Sequence, residues 1–421
     1  MGVDNRINSF ILSQVVDHQY RKIGMEEECI IYTKDLNRLP VNPTTQYSAT
    51  DLLNEMNLFT DQNGIYSLEP GGQLEWSSPP YENLNDLSMA QLKHRKLLND
   101  VTDRRDLIIL DWGLEPSYPP DDIDLIDQSK YQLMNDHMKK VNTHGKWMMR
   151  NTASVQVNID ITDKQDAEKM VFLADCLHPV SAYLFANCPF YKNEPTGTKN
   201  IRNMIWEKTD NDRCRNLIDH GISSPNDLIK NYIDYMMDVP GIFQLNSKNV
   251  LENTDGTLGN RLEYLYANGE IRNADVQLAL HQIFTNVRYK HLVEIRGADR
   301  PPLGYEMAPV AFWTGLLTTD DTRDKALNMV EKWSNQERTS WNKSALNLDS
   351  SQIGPNGKSF EYWNKWAGEL ALEGLAEREK NEESNFEPFF ESVLSEGPFS
   401  LQVQNDFADR EIILKDYLNE Q

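Results

Sequence analysis

Five glutamates recur in short segments that read as strands. Glu26 and Glu28 stand in Gly24-Met25-Glu26-Glu27-Glu28, Glu69 and Glu75 flank Pro70-Gly71-Gly72, and Glu294 lies in Leu292-Val293-Glu294-Ile295-Arg296. Alternate side chains of a strand share a face. Glu26 therefore goes with Glu28, and Glu294 with Arg296. Likewise Gln156, Asn158 and Asp160 oppose Val155, Val157 and Ile159. If Leu68, Leu74 and Trp76 take the core side of the turn, Glu69 and Glu75 take the other.

One wet face is ordinary for an antiparallel sheet, and each strand alone reads as a solvated surface. Together the polar faces hold glutamates, amides and an arginine, and no lysine. Up to five carboxylates on one sheet repel one another strongly unless cations sit between them. Carboxylate and amide oxygens suit magnesium or manganese, and magnesium in such sites commonly bridges to nucleotide phosphates. The residue types point to a carboxylate-lined metal–nucleotide funnel. No G-x-x-x-x-G-K-[ST] and no G-x-G-x-x-G after a strand is present, so phosphate charge falls to metals and arginines. Arg202, Arg213, Arg288 and Arg296 are the candidates.

The elements that must position these groups follow from pattern. The 421 residues are 39% hydrophobic and 10% aromatic, enough for a large buried core, which excludes a disordered chain. Lys+Arg 42 against Asp+Glu 65 gives a charge of −23, which argues against nucleic-acid or anionic-membrane partners. No apolar run has the length of a membrane span, and the start MGVDNRINSF lacks the character of a signal peptide. Cys29, Cys176, Cys188 and Cys214 form no C-x-x-C pair, so a disulfide framework is not expected and a reducing cytoplasm is.

Periodicity predicts a helix over 4–20, a strand over 22–33, two strands within 65–77, a helix over 84–105 and a strand over 107–110. Pro116, Pro119 and Pro120 mark an irregular connection. A strand over 153–161 follows, then a helix over 164–186 with Pro179 as a kink point, a polar loop over 192–199, and a strand over 291–296 closed by Gly297. Helical patterns cover 325–333, 360–380, 386–394 and 406–418. The fold class is α+β, a mostly antiparallel sheet with surrounding helices. Residues 1–320 read as the catalytic core and 321–421 as a helical region packed on it.

At these residues the sequence resembles the plant and proteobacterial type of glutamate–cysteine ligase. The matching blocks run in order: IGMEEE at 23–28, SLEPGGQLEWSSPP at 67–80, KYQLM at 130–134, WMMRNTASVQVNID at 147–160 and LFANCPF at 184–190. IRNMIWEKTDNDR at 201–213, YIDYMMDVP at 232–240, VEIRGAD at 293–299 and PVAFWTGLL at 309–317 complete the series. The resemblance implies a six-stranded antiparallel sheet curled into a funnel, akin to glutamine synthetase. It implies that ATP phosphorylates the side-chain carboxylate of glutamate and that the amine of cysteine attacks the acyl phosphate. Glu26, Glu28, Glu69, Glu75 and Glu294 then correspond to the ligands of Mg2+, with Mn2+ possible. Gln156 and Asn158 then either supply amide oxygens near metal and nucleotide or form a cross-strand amide pair. Arg202 and Arg296 bind the glutamate carboxylates or the transferred phosphoryl group, in an order left open. Trp206 either walls the substrate pocket or sits in the core, and Thr152 and Ser154 either touch substrate or satisfy neighbouring strands. A monomer or homodimer is expected.

Three departures stand out. Glu27 replaces a histidine frequent in the family and, by alternation, points away from the funnel as a surface or supporting residue. Asn151 stands where the plant pattern has arginine, with Arg150 one position earlier. Arg300-Pro301-Pro302 replaces a glycine-rich stretch. The last two bear on the acceptor amine. No cysteine pairing matches the redox control of plant members. The rival readings are a ligase of the same fold with another acceptor amine, a guanidino kinase, and a modifier subunit, which would be expected to lack some of the glutamates.

Overall fold

The computed structural model describes residues 2–59, 64–410 and 412–419. Among these residues the strands are β1 (Ile23–Thr33), β2 (Ile65–Leu68), β3 (Leu74–Ser77), β4 (Leu107–Leu110), β5 (Ser154–Ile159), β6 (Phe190–Tyr191), β7 (Glu194–Pro195), β8 (Phe243–Leu245), β9 (Leu251–Asn253), β10 (Val287–Tyr289) and β11 (Val293–Asp299). Seven form one antiparallel sheet, in the order β10-β11-β5-β1-β3-β2 with β4 on β1. The expected count of six gains a strand because β1 is 11 residues long. Its residues 26–29 pair with β3, and its residues 30–33 pair with β4.

Register makes one continuous polar face. Glu26 is opposite Gln156, Glu28 is opposite Glu75, and Glu294 is opposite both Asn158 and Arg288. Residues directly opposed in a ladder project to the same side. The other face carries Met25, Val155, Val157, Ile159, Val293 and Ile295, all buried in the main hydrophobic cluster. The helices Lys164–Leu184 and Ala308–Leu317 pack there, against β11 and β5 respectively. Asp163 caps the first of these by accepting from the Asp166 N–H. That helix continues through Pro179 to Leu184, where a kink point was expected. Its sides are buried along almost the whole length, so packing outweighs the lost backbone hydrogen bond.

Other boundaries shift for local reasons. The first helix ends at Ile11, and a 3-10 turn occupies His18–Tyr20, because Val16 instead gives its N–H to Ile161 O. Strand β11 runs through Gly297 to Asp299 with a register shift between Ile295 and Ala298. A Cβ at Gly297 would lie 2.4 Å from the His178 ring, so the small residue lets the irregular strand approach the helix and does not end it. The loop over 192–199 holds the short β6–β7 hairpin. In the last quarter the helices are Asp320–Val330, Asn335–Ser344, Phe360–Glu377, Glu387–Glu396, Phe399–Arg410 and Leu414–Asn419. The pattern over 406–418 thus spans a break, and its residue 411 lies outside the described residues. No helix among the described residues is long and apolar enough to cross a membrane.

The helices Ala308–Leu317 and Phe360–Glu377 touch backbone to backbone at glycines. A Cβ on Gly315 would meet Ala371 O at 2.0 Å, and one on Gly374 would meet Gly315 O at 1.9 Å. Because the first of these helices also packs on β5, the last quarter is tied to the sheet through this contact. Gly374→Ala is expected to lower stability by about 3 kcal/mol, through overpacking against backbone that cannot move aside. A urea denaturation midpoint equal to that of the parent protein would refute the close approach.

Candidate active site

The polar face of the sheet floors a cavity of about 380 Å³. Glu26, Glu28, Glu69 and Glu75 line one part of it. Oxygens of Glu28, Glu69 and Glu75 all lie within 4.8 Å of one another. Strand pairing brings Glu28 beside Glu75, and the turn brings Glu69 beside both. Glu69 N–H donates to Gln73 O, and Gly72 closes the turn with a φ of +78° that suits glycine. Gln73 donates to Thr152 O at 2.8 Å, which anchors the turn to the approach to β5.

These acids have few donors for their charge. Glu28 accepts from Ser154 N–H at 2.9 Å and from Gln156 at 3.0 Å, and Glu75 accepts from the Ser67 hydroxyl at 2.8 Å. Burial, reinforced by the Glu75 charge, raises Glu28 to about 7. Burial and Glu28 raise Glu69 to about 7, and burial with Glu26 and Glu69 raises Glu75 to about 8. Three oxygen ligands from carboxylates that resist sharing a pocket as anions fit a divalent cation such as Mg2+ or Mn2+.

The same cavity is also lined by cations, Lys130, Arg202, Arg288, Lys290 and Arg296. Arg296 Nη1 donates to Gln156 Oε1 at 2.5 Å and lies 3.4 Å from Glu294. Arg202 donates to Arg296 O at 3.2 Å and faces Asp299 at 3.7 Å. Trp206 lies beneath both guanidiniums, 5.8 and 5.9 Å from its ring centre. It is therefore a wall of the cavity as well as a partner of the core.

Glu294, expected with the metal-binding acids, lies with Glu26 outside that trio. Its side chain is fully buried and pairs with Arg288, with Lys290 at 2.6 Å and with Arg296, outside the trio of Glu28, Glu69 and Glu75. Burial opposes ionisation there, yet Arg288, Lys290 and Arg296 hold the carboxyl well below the usual range. Alternation along β11 did not reveal this, because two of the three cations come from β10 and the turn after it. Lys290 also corrects the expectation that the polar face carries no lysine.

The remaining candidates divide. Asn158 gives its amide to Glu26 Oε1 at 3.2 Å, so it stands behind that acid. Thr152 and Ser154 both line the cavity. Thr152 follows the helix Gly145–Asn151 and donates its hydroxyl to Met148 O, whereas β5 begins at Ser154. Asp160, one residue past β5, accepts from Lys22 N–H. Arg213 is wholly buried elsewhere, bonded to Asp210 and Pro240 O, so it leaves the set of phosphate-binding candidates.

All three departures also resolve away from the cavity. Glu27 does point away from it, but it is buried at 2% exposure and is no surface residue. Arg300 donates to it at 2.7 Å and to Asp111 at 2.6 Å. Residues 27 and 300 thus form a matched pair on the back of the sheet, and Arg300 is not a cavity residue. Arg150 turns to Pro120 O and Ile123 O, and Asn151 to Tyr118 O. Sequence reading missed Tyr131, Met134, His281 and Phe284 as lining residues. Lys130 and Tyr131 lay within the KYQLM block, so the signal was present without a role attached to it.

The raised carboxyls link stability to pH. In the unfolded chain these acids lose protons near 4.5, whereas in the fold Glu28, Glu69 and Glu75 keep theirs to about 7 or 8. The folded form binds more protons across that window, so these groups' contribution falls as pH rises from about 4.5 to about 8. Added Mg2+ should therefore raise the melting temperature more at pH 8 than at pH 5.5. Glu75→Gln should stabilise the metal-free protein at pH 8 and shrink the Mg2+ increment. Glu294→Gln should do the opposite and cost about 3 kcal/mol, because it leaves buried cations without their counter-charge. A Mg2+ increment independent of pH would contradict the site.

The model of glutamate-cysteine ligase family 2 (GCS2) matches residues 22–407. The chain is 34% identical over 280 residues to the chloroplastic glutamate–cysteine ligase of Arabidopsis thaliana, a match covering 65% of this chain and 52% of that protein. It is 32% identical over 278 residues to chloroplastic glutamate–cysteine ligase A of Oryza sativa subsp. indica, covering 65% and 56%. The chain thus spans about half the length of the curated relatives it matches. Among solved structures, glutamate–cysteine ligase of Francisella tularensis in complex with AMP superposes with a TM-score of 0.60 at 13% identity, over 97% of this chain and 88% of that one. A bifunctional glutathione synthetase from Pasteurella multocida gives 0.52 at 12%, over 99% and 52%. These two likenesses bear on the fold, which is mixed helix and antiparallel sheet as expected. The family match, running through every strand of the sheet, makes this chain a member of glutamate–cysteine ligase family 2.

Proposed function

We propose that the protein joins the side-chain carboxylate of glutamate to the amine of cysteine, using ATP and releasing ADP and phosphate. The observation that carries this reading is that one cavity holds both an acid trio and a set of lysines and arginines. A triphosphate and a carboxylate substrate are both anionic and must be brought together against their repulsion. A divalent cation held by Glu28, Glu69 and Glu75 would neutralise phosphate charge and let the two anions meet.

The chain's own residues supply the remaining steps. Arg296 stands beside Gln156 and Glu294 on the cavity lining, where it can stabilise charge on the phosphoryl group in transfer. Glutamate then carries an acyl phosphate, whose carbon is open to attack by the acceptor amine, and phosphate departs. Arg202, whose guanidinium also faces the Trp206 ring, is assigned to a glutamate carboxylate through its guanidinium fork. Met134, Met148, Phe243, Leu278 and Phe284 give the cavity an apolar side that limits water at the acyl phosphate. Magnesium as the cation and the cytoplasm as the location belong to the same reading. The second is in keeping with four free, buried cysteines, of which burial raises Cys29, Cys176 and Cys214 to about 12.

The test is turnover with ATP, glutamate, Mg2+ and a panel of amines, scored by ADP, phosphate and product mass. Cysteine should give the highest turnover, with one phosphate per product. Equal turnover with other amines would remove cysteine as the acceptor, and a phosphorylated product without phosphate release would point to a kinase. Arg296→Gln should lower kcat by about 10²-fold with little change in glutamate KM, whereas Arg202→Gln should raise that KM.

A further inference from the structure

Asp299 closes strand β11 and is buried outside the cavity lining, whereas the guanidinium it faces belongs to Arg202 on that lining. Its Oδ2 accepts from the Asn187 N–H at 2.8 Å and from the Cys188 thiol at 3.0 Å. Asn187 is itself fixed, because its amide donates to Asp111 O and Arg300 O. Room for the carboxylate comes from Gly113, where a Cβ would lie 2.6 Å from Asp299 Cβ. These anchors of Asp299 do not involve Arg202.

Arg202 is held more loosely than Arg95 on the back of the sheet. Arg95 grips Asp111 with two bonds of 2.7 and 2.8 Å, the fork-to-carboxylate geometry of a closed pair. Asp299 Oδ1 stays 3.7 Å from Arg202 Nη1, beyond hydrogen-bond reach, and Arg202 Nε is buried with no acceptor. Arg202 Nη2 donates to Arg296 O at 3.2 Å. Strand β11 thus supplies both that carbonyl and the Asp299 carboxylate, from either side of its register shift between Ile295 and Ala298. Irregularities of this kind re-aim groups beside a site. Burial raises the Asp299 carboxyl, and the charge of Arg202 is the strongest influence opposing it. Arg202 also feels Glu28, whose carboxyl burial raises and whose charged form Arg202 helps to stabilise.

We infer that Asp299 is the positioning residue for Arg202: it draws the guanidinium toward β11 without closing on it, which leaves the fork open to a carboxylate of the bound amino acid. This rests on the assignment of Arg202 to glutamate given above. Two carboxylates compete for Arg202, Asp299 from outside the lining and Glu28 from within it. With Asp299 made neutral, the remaining pull is toward Glu28, and the fork turns from the substrate to the acid trio. Asp299 touches no reacting atom, so its effect on the substrate passes through the arginine.

The experiment is calorimetric titration of L-glutamate into the protein with Mg2+ and the β,γ-imido analogue of ATP. It compares the parent, Asp299→Asn, Arg202→Gln and the double variant. Asp299→Asn should weaken glutamate binding about tenfold in the parent and less than about twofold in the Arg202→Gln background, because Asp299 acts through the arginine. Affinity for the analogue and kcat at saturating glutamate should each stay within about threefold of the parent. Cys188→Ala removes one donor to Asp299 Oδ2 and serves if Asp299→Asn does not fold. It should weaken glutamate binding about threefold, with the same dependence on Arg202. Equal losses in the two backgrounds, or unchanged glutamate binding, overturn the inference. A parallel loss of analogue affinity marks general loosening and overturns it as well. A parent that binds glutamate but forms no product with cysteine sinks the ligase reading and leaves the positioning of Arg202 standing. A parent that binds no glutamate removes both.

Discussion

Glu28, Glu69 and Glu75 hold oxygens within 4.8 Å of one another in a buried cavity, and burial together with neighbouring acids raises all three well above the usual carboxyl range. An arrangement that works against ionisation persists only if the surrounding structure leaves those side chains no alternative. Here β1, at 11 residues, lies beside both β3 and β5, and the turn before β3 is tied to Thr152 O through Gln73. The apolar face behind them belongs to a cluster reaching from Ile7 to Val393. The strain of the acids is therefore borne by a large core, and the sheet is the rigid element on which the chemistry depends.

The back of the sheet repeats the same problem with the opposite solution. Glu27 falls between Glu26 and Glu28 and turns into the protein, where a lone carboxylate would be costly. Arg300, Gln91 and the Arg300–Asp111–Arg95 chain surround it, so the charge is matched within the fold itself. The contrast between neighbours separates roles: Glu27 is balanced by protein, whereas the trio on the other face lacks a balance of that kind. Imbalance, more than acidity, marks the functional side.

How much of this was legible in the sequence depended on whether the partner lay on the same strand. Period-2 alternation placed Glu26 with Glu28, Glu69 with Glu75, and Gln156 with Asn158, because those relations are local. It also placed Glu294 with Arg296, but it gave no hint of Arg288 from β10 or Lys290 from the turn, which make Glu294 the buried hub of three cations. Arg213 failed for the converse reason: a motif-rich neighbourhood looked suggestive, yet Asp210 three residues earlier already held it. Much of the middle of the chain, including the helices Ser129–Val141, Leu228–Asp238 and Leu258–Ala267, was left without a helical assignment. The continuation of Lys164–Leu184 through Pro179 shows packing overriding a local breaker.

The acids and the cations of the cavity constrain one another. Arg296 touches both Gln156, which also donates to Glu28, and Glu294, which is shared with Arg288 and Lys290. A chain of charged and amide groups thus runs from Glu28 through the two ends of the Gln156 amide to Arg296, and on through Glu294 to Arg288 and Lys290. Adding positive charge at one end weakens the hold on cations at the other, because the intervening oxygens cannot serve both fully.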